Sequence, residues 1–122
     1  AESTHRIDLT TLASETARFY SALLNTAVVG CGGILLASDY AEIKRIFVSP
    51  QARGLGIGRR LLTTLETEAR SLGFDLLRLE TGIYQPEALA LFNAVGFTTC
   101  SSFGDYPPDD PNSIFMEKRV GT

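Results

Sequence analysis

Residues 49–62 read SPQARGLGIGRRLL, a segment in which a glycine-rich loop runs directly into a stretch with helical spacing. Three glycines alternate from Gly54 to Gly58, and Arg59 and Arg60 follow at once. Glycine loses the most backbone freedom on folding, so three in a short loop indicate that another group approaches this backbone closely. A cation is unfavourable at the start of a helix unless an anion binds there. The segment therefore predicts an anion-binding loop at a helix N-terminus.

An amphipathic helix is predicted after the loop, and further elements follow it. Its apolar residues recur on one helical face: Leu61, Leu62, Leu65, Ala69 and Leu72. Gly73 is typical of a left-handed helix stop. Residues 75–80, DLLRLE, are apolar enough for a central strand. A second helix is predicted from near Pro86, a residue favoured at the first helical position, to Gly96.

Three strands are predicted before the loop. The runs RFYSALL, AVVGCGGILLA and YAEIKRIFV are rich in β-branched and aromatic residues, and the turn signals NT and SD separate them. They predict an antiparallel meander that begins at Arg18. The 17 residues before it are mixed and polar, with a weak helical spacing of Ile7, Leu9 and Leu12. We expect a short helix or a loop there.

Two more strands are predicted at the end of the chain, in GFTTCSSF and SIFMEKRV. The segment between them, GDYPPDDPN, is typical of a long surface loop because prolines and aspartates disfavour regular structure. The resulting order is three strands, a helix, a strand, a helix and two strands. It predicts an α+β fold with one mixed, mostly antiparallel sheet flanked by helices, in a single domain over residues 1–122.

Composition excludes several classes of function. The 122 residues carry a net charge of −3, which disfavours nucleic acid as a partner. No apolar run approaches the roughly 20 residues that cross a bilayer, and no signal peptide pattern is present. We therefore expect a cytoplasmic protein without a membrane partner.

The cysteines and the histidine do not predict a metal site. Cys31 and Cys100 lie far apart in apolar stretches, which favours buried reduced thiols over a disulfide. Two cysteines and the single His5 give no metal-ligand spacing, and His5 lies in a polar segment where a solvated side chain is expected.

Two familiar phosphate-binding loops do not match the glycines. A P-loop requires a lysine after its last glycine, and none follows here. A dinucleotide fingerprint is spaced G-x-G-x-x-G after the first strand of a βαβ unit, whereas these glycines are spaced G-x-G-x-G after a meander. Neither motif therefore accounts for these glycines.

The segment QARGLGIG resembles the Q/R-x-x-G-x-G/A signature of the GNAT superfamily of N-acetyltransferases, matched by Gln51, Gly54 and Gly56. Residues 41–82 resemble that family's core from its fourth to its fifth strand, and ALALFNAVGF resembles the helix that follows. The resemblance extends over most of the chain after about residue 18. It implies a GNAT-like domain whose N-terminal elements are shortened or missing, since the family begins with a strand and two helices.

The resemblance implies that acetyl-CoA binds as co-substrate, without a metal. Backbone N–H groups of the glycine loop would hold the pyrophosphate, and Arg53, Arg59 or Arg60 would add charge to it or to the 3′-phosphate. Strand backbone would pair with the pantetheine arm. The expected cofactor-binding residues are Ile46, Phe47, Val48, Arg53, Gly54, Gly56, Ile57, Gly58 and Arg59.

Acetyl transfer to an amine requires a neutral nucleophile, so a general base is expected. The resemblance implies Glu42 for this role, because it lies on the strand before the loop, where related enzymes place a glutamate. Strand alternation puts Glu42 and Lys44 on the face opposite Ile43 and Arg45. An alternative is that Glu42 is a structural carboxylate paired with Lys44 or an arginine. The resemblance assigns the oxyanion to a backbone N–H near Phe47 or Val48.

Several other side chains are expected to lie near the site. Glu80 is expected to be structural, satisfying neighbouring backbone or Arg78. The family often has a tyrosine as general acid where this chain has Phe92, so that donor is absent. Tyr106 is the better substitute and Tyr84 the weaker one, although packing at the rim is slightly favoured for both. The aspartates of the late loop could attract a cationic amine, but a solvated turn is favoured for them: Asp105, Asp109 and Asp110.

The residues and the resemblance together predict an acetyl-CoA-dependent N-acetyltransferase that acts on a primary amine of a small molecule by direct attack in a ternary complex. Neither cysteine has a histidine to activate it, so no acyl-enzyme is expected. The alternative is a non-catalytic CoA-binding or regulatory module of the same fold, and a purely structural domain is a third interpretation. The sequence leaves a homodimer open.

Overall fold

One mixed sheet forms the centre of residues 7–121, the part of the chain that the computed structural model describes. Within those residues seven strands are ordered β1-β2-β3-β4-β5-β7-β6, and two α-helices connect them. The strands are β1 Ile7–Ala13, β2 Ala17–Leu24, β3 Ala27–Leu36, β4 Ala41–Val48, β5 Leu76–Gly82, β6 Thr98–Cys100 and β7 Ser113–Arg119. The helices are α1 Ile57–Ser71 and α2 Pro86–Ala94, with a 3-10 turn at Pro50–Ala52.

The sheet confirms the predicted fold class. Every strand pair is antiparallel except β4 with β5, which are parallel. That parallel pairing is short, because it joins only Ala41 to Leu77 and Glu42 to Arg78. Beyond Glu42 the two strands are no longer paired, so a gap opens between them.

Both helices pack on one face of the sheet, here called the covered face. Leu61, Leu62 and Leu65 of α1 are buried, whereas Leu72 at its end is 37% exposed. They meet apolar strand residues, and full burial of such a side chain stabilises by about 1.5–3 kcal/mol. The core on this face contains Ile34, Ala41, Ile43, Leu77, Leu79, Phe92, Phe97 and Met116. Gly73 follows α1 with φ 92°, as its position predicted.

The opposite face, here called the open face, carries a different set of side chains. The strand register forms rows of neighbouring residues across the sheet. One row contains Phe19, Gly33 and Lys44, and the next contains Leu35, Glu42 and Arg78. Alternation along a strand keeps each row on one face. The open face therefore combines apolar and charged groups where the covered face is apolar.

The prediction of a helix or loop before Arg18 was wrong for the part of that segment that is described. Ile7–Ala13 forms a seven-residue strand that pairs with β2, from Ile7 against Leu24 to Ala13 against Arg18. Pairing with an existing strand edge outweighs a weak helical spacing in a polar segment. Arg18 secures this hairpin, because its guanidinium donates to the carbonyls of Ser14 and Ala17 and pairs with Glu68 of α1 at 3.1 Å. His5, for which a solvated side chain was predicted, lies outside the described residues.

A bulge interrupts β4 at Arg45. Gly33 pairs with Lys44 and Cys31 pairs with Phe47, so Arg45 and Ile46 together oppose Gly32. Arg45 adopts φ 58°, a left-handed conformation that non-glycine residues rarely occupy. A Cβ on Gly32 would lie 2.4 Å from Cδ1 of Ile46, so glycine leaves the space that the displaced Ile46 fills. Strict alternation therefore holds for Glu42, Ile43 and Lys44 but not for Arg45.

The predicted long loop between β6 and β7 lies across the open face. Phe103 is 8% exposed, and its ring packs edge-on against Tyr40, Tyr106 and Phe115 at centroid distances of 5.4, 5.5 and 5.5 Å. Arg78 stacks on the rings of Tyr40 and Phe103. The loop is thus anchored by an aromatic cluster even though its backbone is irregular.

Two further sequence expectations can be compared with the described residues. Cys31 and Cys100 are free thiols, as predicted, but both are half-buried rather than buried. Neither helix in residues 7–121 is both long enough and apolar enough to span a bilayer.

Candidate active site

A cleft of about 410 Å³ lies beside the start of α1, between β4, the glycine loop and α2, and is here called the helix cleft. All nine residues expected to bind the cofactor line it: Ile46, Phe47, Val48, Arg53, Gly54, Gly56, Ile57, Gly58 and Arg59. Ala52, Gln85, Glu87, Ala88 and Leu91 complete its lining. The fold thus brings the strand backbone and the glycine loop, which were predicted separately, to one cavity.

The three loop glycines have two different reasons to be glycine. Gly54 and Gly56 adopt φ 86° and 77°, and no protein atom lies within 4 Å of where a Cβ would stand on either. Gly58 instead allows close packing of the helices, because a Cβ there would lie 2.8 Å from Cδ2 of Leu91. Conformation therefore accounts for the first two, and close approach of α2 accounts for the third.

The arginines of this segment differ in their partners. Arg53 pairs with Glu87 of α2 at 2.9 Å across the helix cleft, with half of the Arg53 side chain exposed. Arg59 lines the same cleft, and among residues 7–121 no carboxylate pairs with it. Arg60 is exposed and does not line the cleft. Exposed ion pairs contribute at most about 1 kcal/mol, so an anion in the cleft can replace Glu87 at Arg53.

The backbone of β4 presents unpaired groups to this cleft. The N–H of Ser49 donates to the Val29 carbonyl at 2.8 Å, so Ser49 faces β3. The backbone groups of Phe47 also face β3, since its carbonyl oxygen lies 2.9 Å from where a Cβ on Gly30 would stand. Alternation in an antiparallel ladder then turns the backbone groups of Ile46 and Val48 away from β3, toward the unpaired side. Of the two candidates for the oxyanion donor, Val48 is the one whose N–H faces the cleft.

The gap between β4 and β5 forms a second cavity of about 390 Å³, here called the strand cleft. It shares Ile46, Phe47, Gln85 and Ala88 with the helix cleft, so the two cavities adjoin. Its further lining is Ile43, Arg45, Leu79, Glu80, Thr81, Gly82 and Phe92. Phe92 is a buried core residue at this position, where the family often has a tyrosine.

Glu42 lies at the last paired position before the strands separate, and it has two partners on the open face. The Tyr106 hydroxyl donates to Oε2 of Glu42 at 2.5 Å, and Nζ of Lys44 lies 3.2 Å from the same oxygen. Lys44 also donates to the Tyr106 hydroxyl at 2.5 Å. The Glu42 side chain is 13% exposed. The pairing with Lys44, foreseen as the alternative to a catalytic role, is therefore present.

The environment of this group keeps both neighbours of Glu42 protonated near neutral pH. Burial raises the pKa of Tyr106, and its hydrogen bond to Glu42 raises it further. The hydrogen bond to Tyr106 raises the pKa of Lys44, with Glu42 adding to the effect against the opposing influence of burial. Lys44 is thus a cation and Tyr106 a neutral hydrogen-bond donor, and both contact the same oxygen of Glu42.

The structure refines the roles expected of neighbouring side chains. Glu80 accepts a hydrogen bond from the Ser113 hydroxyl at 2.6 Å, and Arg78 pairs instead with Glu117 at 3.2 Å. The Tyr106 ring is held by Phe103 and Phe115 rather than by Asp105 and the prolines. Tyr84 is 80% exposed. Lys44 as a partner of Tyr106 was missed because 62 residues separate them.

These features together match one known family. Residues 2–97 match the model of the acetyltransferase (GNAT) family. The chain belongs to the GNAT family. An IAA acetyltransferase from Azospirillum brasilense is 51% identical over 98% of this chain and 79% of its own length. The enzyme class of this GNAT chain is that of the N-acetyltransferases, and its fold is one that binds acetyl-CoA.

Solved structures support the same fold. A Klebsiella pneumoniae protein assigned to the acyl-CoA N-acyltransferases superposes with a TM-score of 0.88 at 32% identity, over 95% of this chain and 99% of its own. A GNAT family acetyltransferase from Elizabethkingia anophelis with acetyl-CoA bound shares the fold, with a TM-score of 0.75 at 18% identity, over 93% of this chain and 97% of its own.

The described residues provide no metal-binding cluster and no activated thiol. No group of three potential metal ligands occurs in residues 7–121. Burial raises the pKa of Cys100, which disfavours its thiolate. The Cys31 thiol donates to the Arg45 carbonyl at 3.3 Å. The side chains at the clefts are suited to proton transfer and anion binding.

Proposed function

We propose that this GNAT enzyme transfers the acetyl group of acetyl-CoA to the primary amine of a small molecule by direct attack in a ternary complex. One observation carries the proposal: the helix cleft, lined by all nine expected residues, adjoins the strand cleft, and the gap between β4 and β5 opens just beyond Glu42. A cofactor that extends along this path would bring its thioester near a carboxylate.

The helix cleft suits the pyrophosphate and the pantetheine arm of the coenzyme. Left-handed Gly54 and Gly56 leave space beside the N-terminus of α1, where backbone N–H groups favour a pyrophosphate. Arg59 is available to it, and Arg53 can exchange Glu87 for phosphate. The pantetheine amides would pair with Ile46 and Val48 as an added strand does. The Elizabethkingia protein, which has the same fold, binds acetyl-CoA.

Glu42 is proposed to take the proton from the attacking amine, directly or through a water molecule. Lys44 contributes in the same step, because a cation beside the acceptor disfavours its ammonium form and lowers the pKa of the amine. Tyr106 acts as a positioning residue, since its hydroxyl donates to Glu42 and its ring is fixed by Phe103 and Phe115.

The remaining step requires little further assistance from side chains. The amine nitrogen forms a bond to the carbonyl carbon, and the oxyanion would be stabilised by the Val48 N–H. The carbon–sulfur bond then breaks and coenzyme A leaves as a thiolate, while the amine proton passes to Glu42 or water. A thiol of pKa about 8.5 can leave near neutral pH without a dedicated acid, which is consistent with Phe92 at the tyrosine position.

Release of free thiol from acetyl-CoA, measured with a panel of amines, tests the proposal. Acetylation of at least one amine, identified by mass, is the expected result. Tight CoA binding without turnover on any amine would instead support the non-catalytic module, which the buried Phe92 favours as second candidate. Absence of CoA binding would refute both.

A further inference from the structure

A third cavity, of about 410 Å³, lies on the open face of the sheet and is here called the open-face pocket. It is lined by Ala17, Phe19, Gly33, Ile34, Leu35, Lys44 and Arg45. The two charged residues of this lining are both cations, and the others are apolar. The pocket therefore offers an apolar region with positive charge at one side.

The apolar region is formed across β2 and β3. Phe19 and Gly33 are register partners, and a Cβ on Gly33 would lie 2.7 Å from Cδ2 of the Phe19 ring. Leu35 is 44% exposed beside them, although it is a large apolar residue. An apolar ligand group that covered these residues would remove their surface from water, which is favourable.

Arg45 forms part of the positive side and lies between two cavities, because it lines both the open-face pocket and the strand cleft. Its side chain is exposed, and among residues 7–121 no carboxylate pairs with it. Its backbone is in a left-handed conformation, and the Cys31 thiol donates to its carbonyl. Strained residues of this kind are concentrated at functional sites. An unpartnered guanidinium at the junction of two cavities is suited to a bidentate contact with a carboxylate.

We propose that the open-face pocket binds an apolar α-amino acid, whose amino group is the acetyl acceptor and whose carboxylate contacts Arg45. This inference rests on the proposed acetyltransferase function and specifies its substrate class. Lys44 is already paired with Glu42, so a simple cationic amine would meet Arg45 as an uncompensated like charge, whereas a zwitterion brings a carboxylate that compensates it. The apolar side chain would cover Phe19 and Leu35.

The geometry is consistent with transfer of the acetyl group from a thioester in the strand cleft to an amine at the open-face pocket. Leu35 and Glu42 are register partners, so the pocket adjoins the carboxylate proposed as base. Arg45 lines the strand cleft, in which the thioester is proposed to lie. In an α-amino acid the nitrogen is two bonds from the carboxylate carbon, so a carboxylate on Arg45 would hold the amine at the junction of the two cavities.

Matched acceptors test the proposal on the full chain. Leucine and phenylalanine are compared with 3-methylbutylamine and phenethylamine, which keep the apolar part and the amine but lack the carboxylate. We expect kcat/KM to be about tenfold or more higher for the amino acids, since a charge-assisted contact is lost with the carboxylate. Arg45→Asn, in which the new residue tolerates the left-handed backbone, should remove that preference by raising KM for the amino acids alone.

Two further variants serve as controls. Arg45→Lys keeps the charge and should restore part of the preference. Arg119→Gln removes an exposed arginine that pairs with Asp75 outside all three cavities, and it should leave both substrate classes unchanged. Melting temperatures establish that each variant is folded.

The outcomes separate this inference from the proposed function. Turnover of the simple amines at the same kcat/KM as the amino acids would overturn the amino-acid assignment while supporting acetyl transfer. An equal loss for both classes in Arg45→Asn would also overturn it. Absence of turnover with every acceptor, despite acetyl-CoA binding, would refute the proposed function itself.

Discussion

The two halves of β4 differ in what they offer to a ligand. Before the bulge, Ala41 and Glu42 are paired with strands on both edges, so their backbone groups are occupied. After the bulge, Phe47 and Val48 are paired with β3 alone, and Ile46 lies in the bulge without a register partner. The first half therefore contributes side chains, of which Glu42 and Lys44 are the charged ones, and the second half contributes backbone.

This difference explains how one short strand can serve two tasks. A fully paired backbone fixes the direction of a side chain, which suits proton transfer at Glu42. An unpaired edge can accept an added strand, which suits the amides of a pantetheine arm. Arg45 separates the two, and the gap between β4 and β5 is already open at this residue. The predictions below test each half separately.

The largest effect is expected in the first half, from Glu42→Gln. The amide keeps the size of the side chain but not its basicity, so kcat/KM should fall by about 10²–10⁴ near neutral pH and recover partly at high pH, where free amine accumulates. CoA affinity, measured by calorimetry, should be unchanged. Glu117→Gln, which removes a carboxylate paired with Arg78, is the matched control. A loss of CoA affinity with kcat intact would mark Glu42 as structural.

In the second half, Val48→Pro should reduce kcat/KM by about 10²–10³, because proline lacks the N–H proposed to stabilise the oxyanion. The protein should fold, since that N–H faces the unpaired side, where a strand tolerates proline. Phe47→Pro removes an N–H that faces β3, and it should lower Tm by several degrees instead. Steady-state kinetics and melting curves check the pair. A lower Tm in Val48→Pro, with a lower kcat/KM but an unchanged Tm in Phe47→Pro, would refute the assigned directions of the two N–H groups.

Tyr106→Phe should lower kcat by less than about tenfold, below the range of a true general acid. The hydroxyl contacts Glu42 and Lys44, so its removal alters the position of Glu42 but leaves the proposed base in place. Pre-steady-state and steady-state rates measure the effect. A loss of a hundredfold or more, with CoA and acceptor binding unchanged, would make Tyr106 catalytic.

A smaller effect is expected at the outer end of the helix cleft. Glu87→Gln frees Arg53 from its ion pair and removes a carboxylate near the proposed phosphates. CoA should then bind about two- to fivefold more tightly, because an exposed pair contributes less than about 1 kcal/mol. Arg53→Gln should weaken binding. Equal affinities in both variants and the wild type would exclude Arg53 from the phosphate site.

The pH dependence of stability gives the smallest expected effect. The pKa values of Lys44 and Tyr106 are raised in the folded state, so folding favours their protonated forms. Their contribution to stability is complete below about pH 10, the ordinary range of both groups, and is lost as pH rises through the folded values. The decrease in Tm above pH 10 should be shallower in Tyr106→Phe. An identical dependence of Tm on pH above pH 10 in the wild type and in Tyr106→Phe would show that the contact between Lys44 and Tyr106 does not contribute to stability.

Local patterns were sufficient for most of the fold. The apolar face of α1 and the stops at Gly73 and Gly96 follow from spacing and chirality. β1 was missed because an edge strand with one polar face has a weak signal, and Leu12 in it remains 78% exposed. Its pairing with β2 is a tertiary effect that overrides the local pattern.

The helix cleft could be predicted, whereas the surroundings of Glu42 could not. A glycine loop before an amphipathic helix specifies its own geometry, so Gly54 and Gly56 were found from sequence. The contact of Tyr106 with Glu42 spans 64 residues and depends on how the aromatic loop folds over the sheet. The bulge at Arg45 likewise could not be predicted from the alternating run AEIKRIFV. It depends on Gly32 of the neighbouring strand, which leaves the space that Ile46 fills.

The central claim is that acetyl-CoA lies along the second half of β4 and at the start of α1. Amide chemical shifts of the full chain, recorded by NMR during titration with acetyl-CoA, test it most directly. The account predicts the largest changes at the N–H groups of Ile46, Val48, Gly56 and Gly58, with slower hydrogen exchange at Val48 and little change at Thr98–Cys100 of β6. Changes confined to another surface, or none at saturating acetyl-CoA, would contradict it.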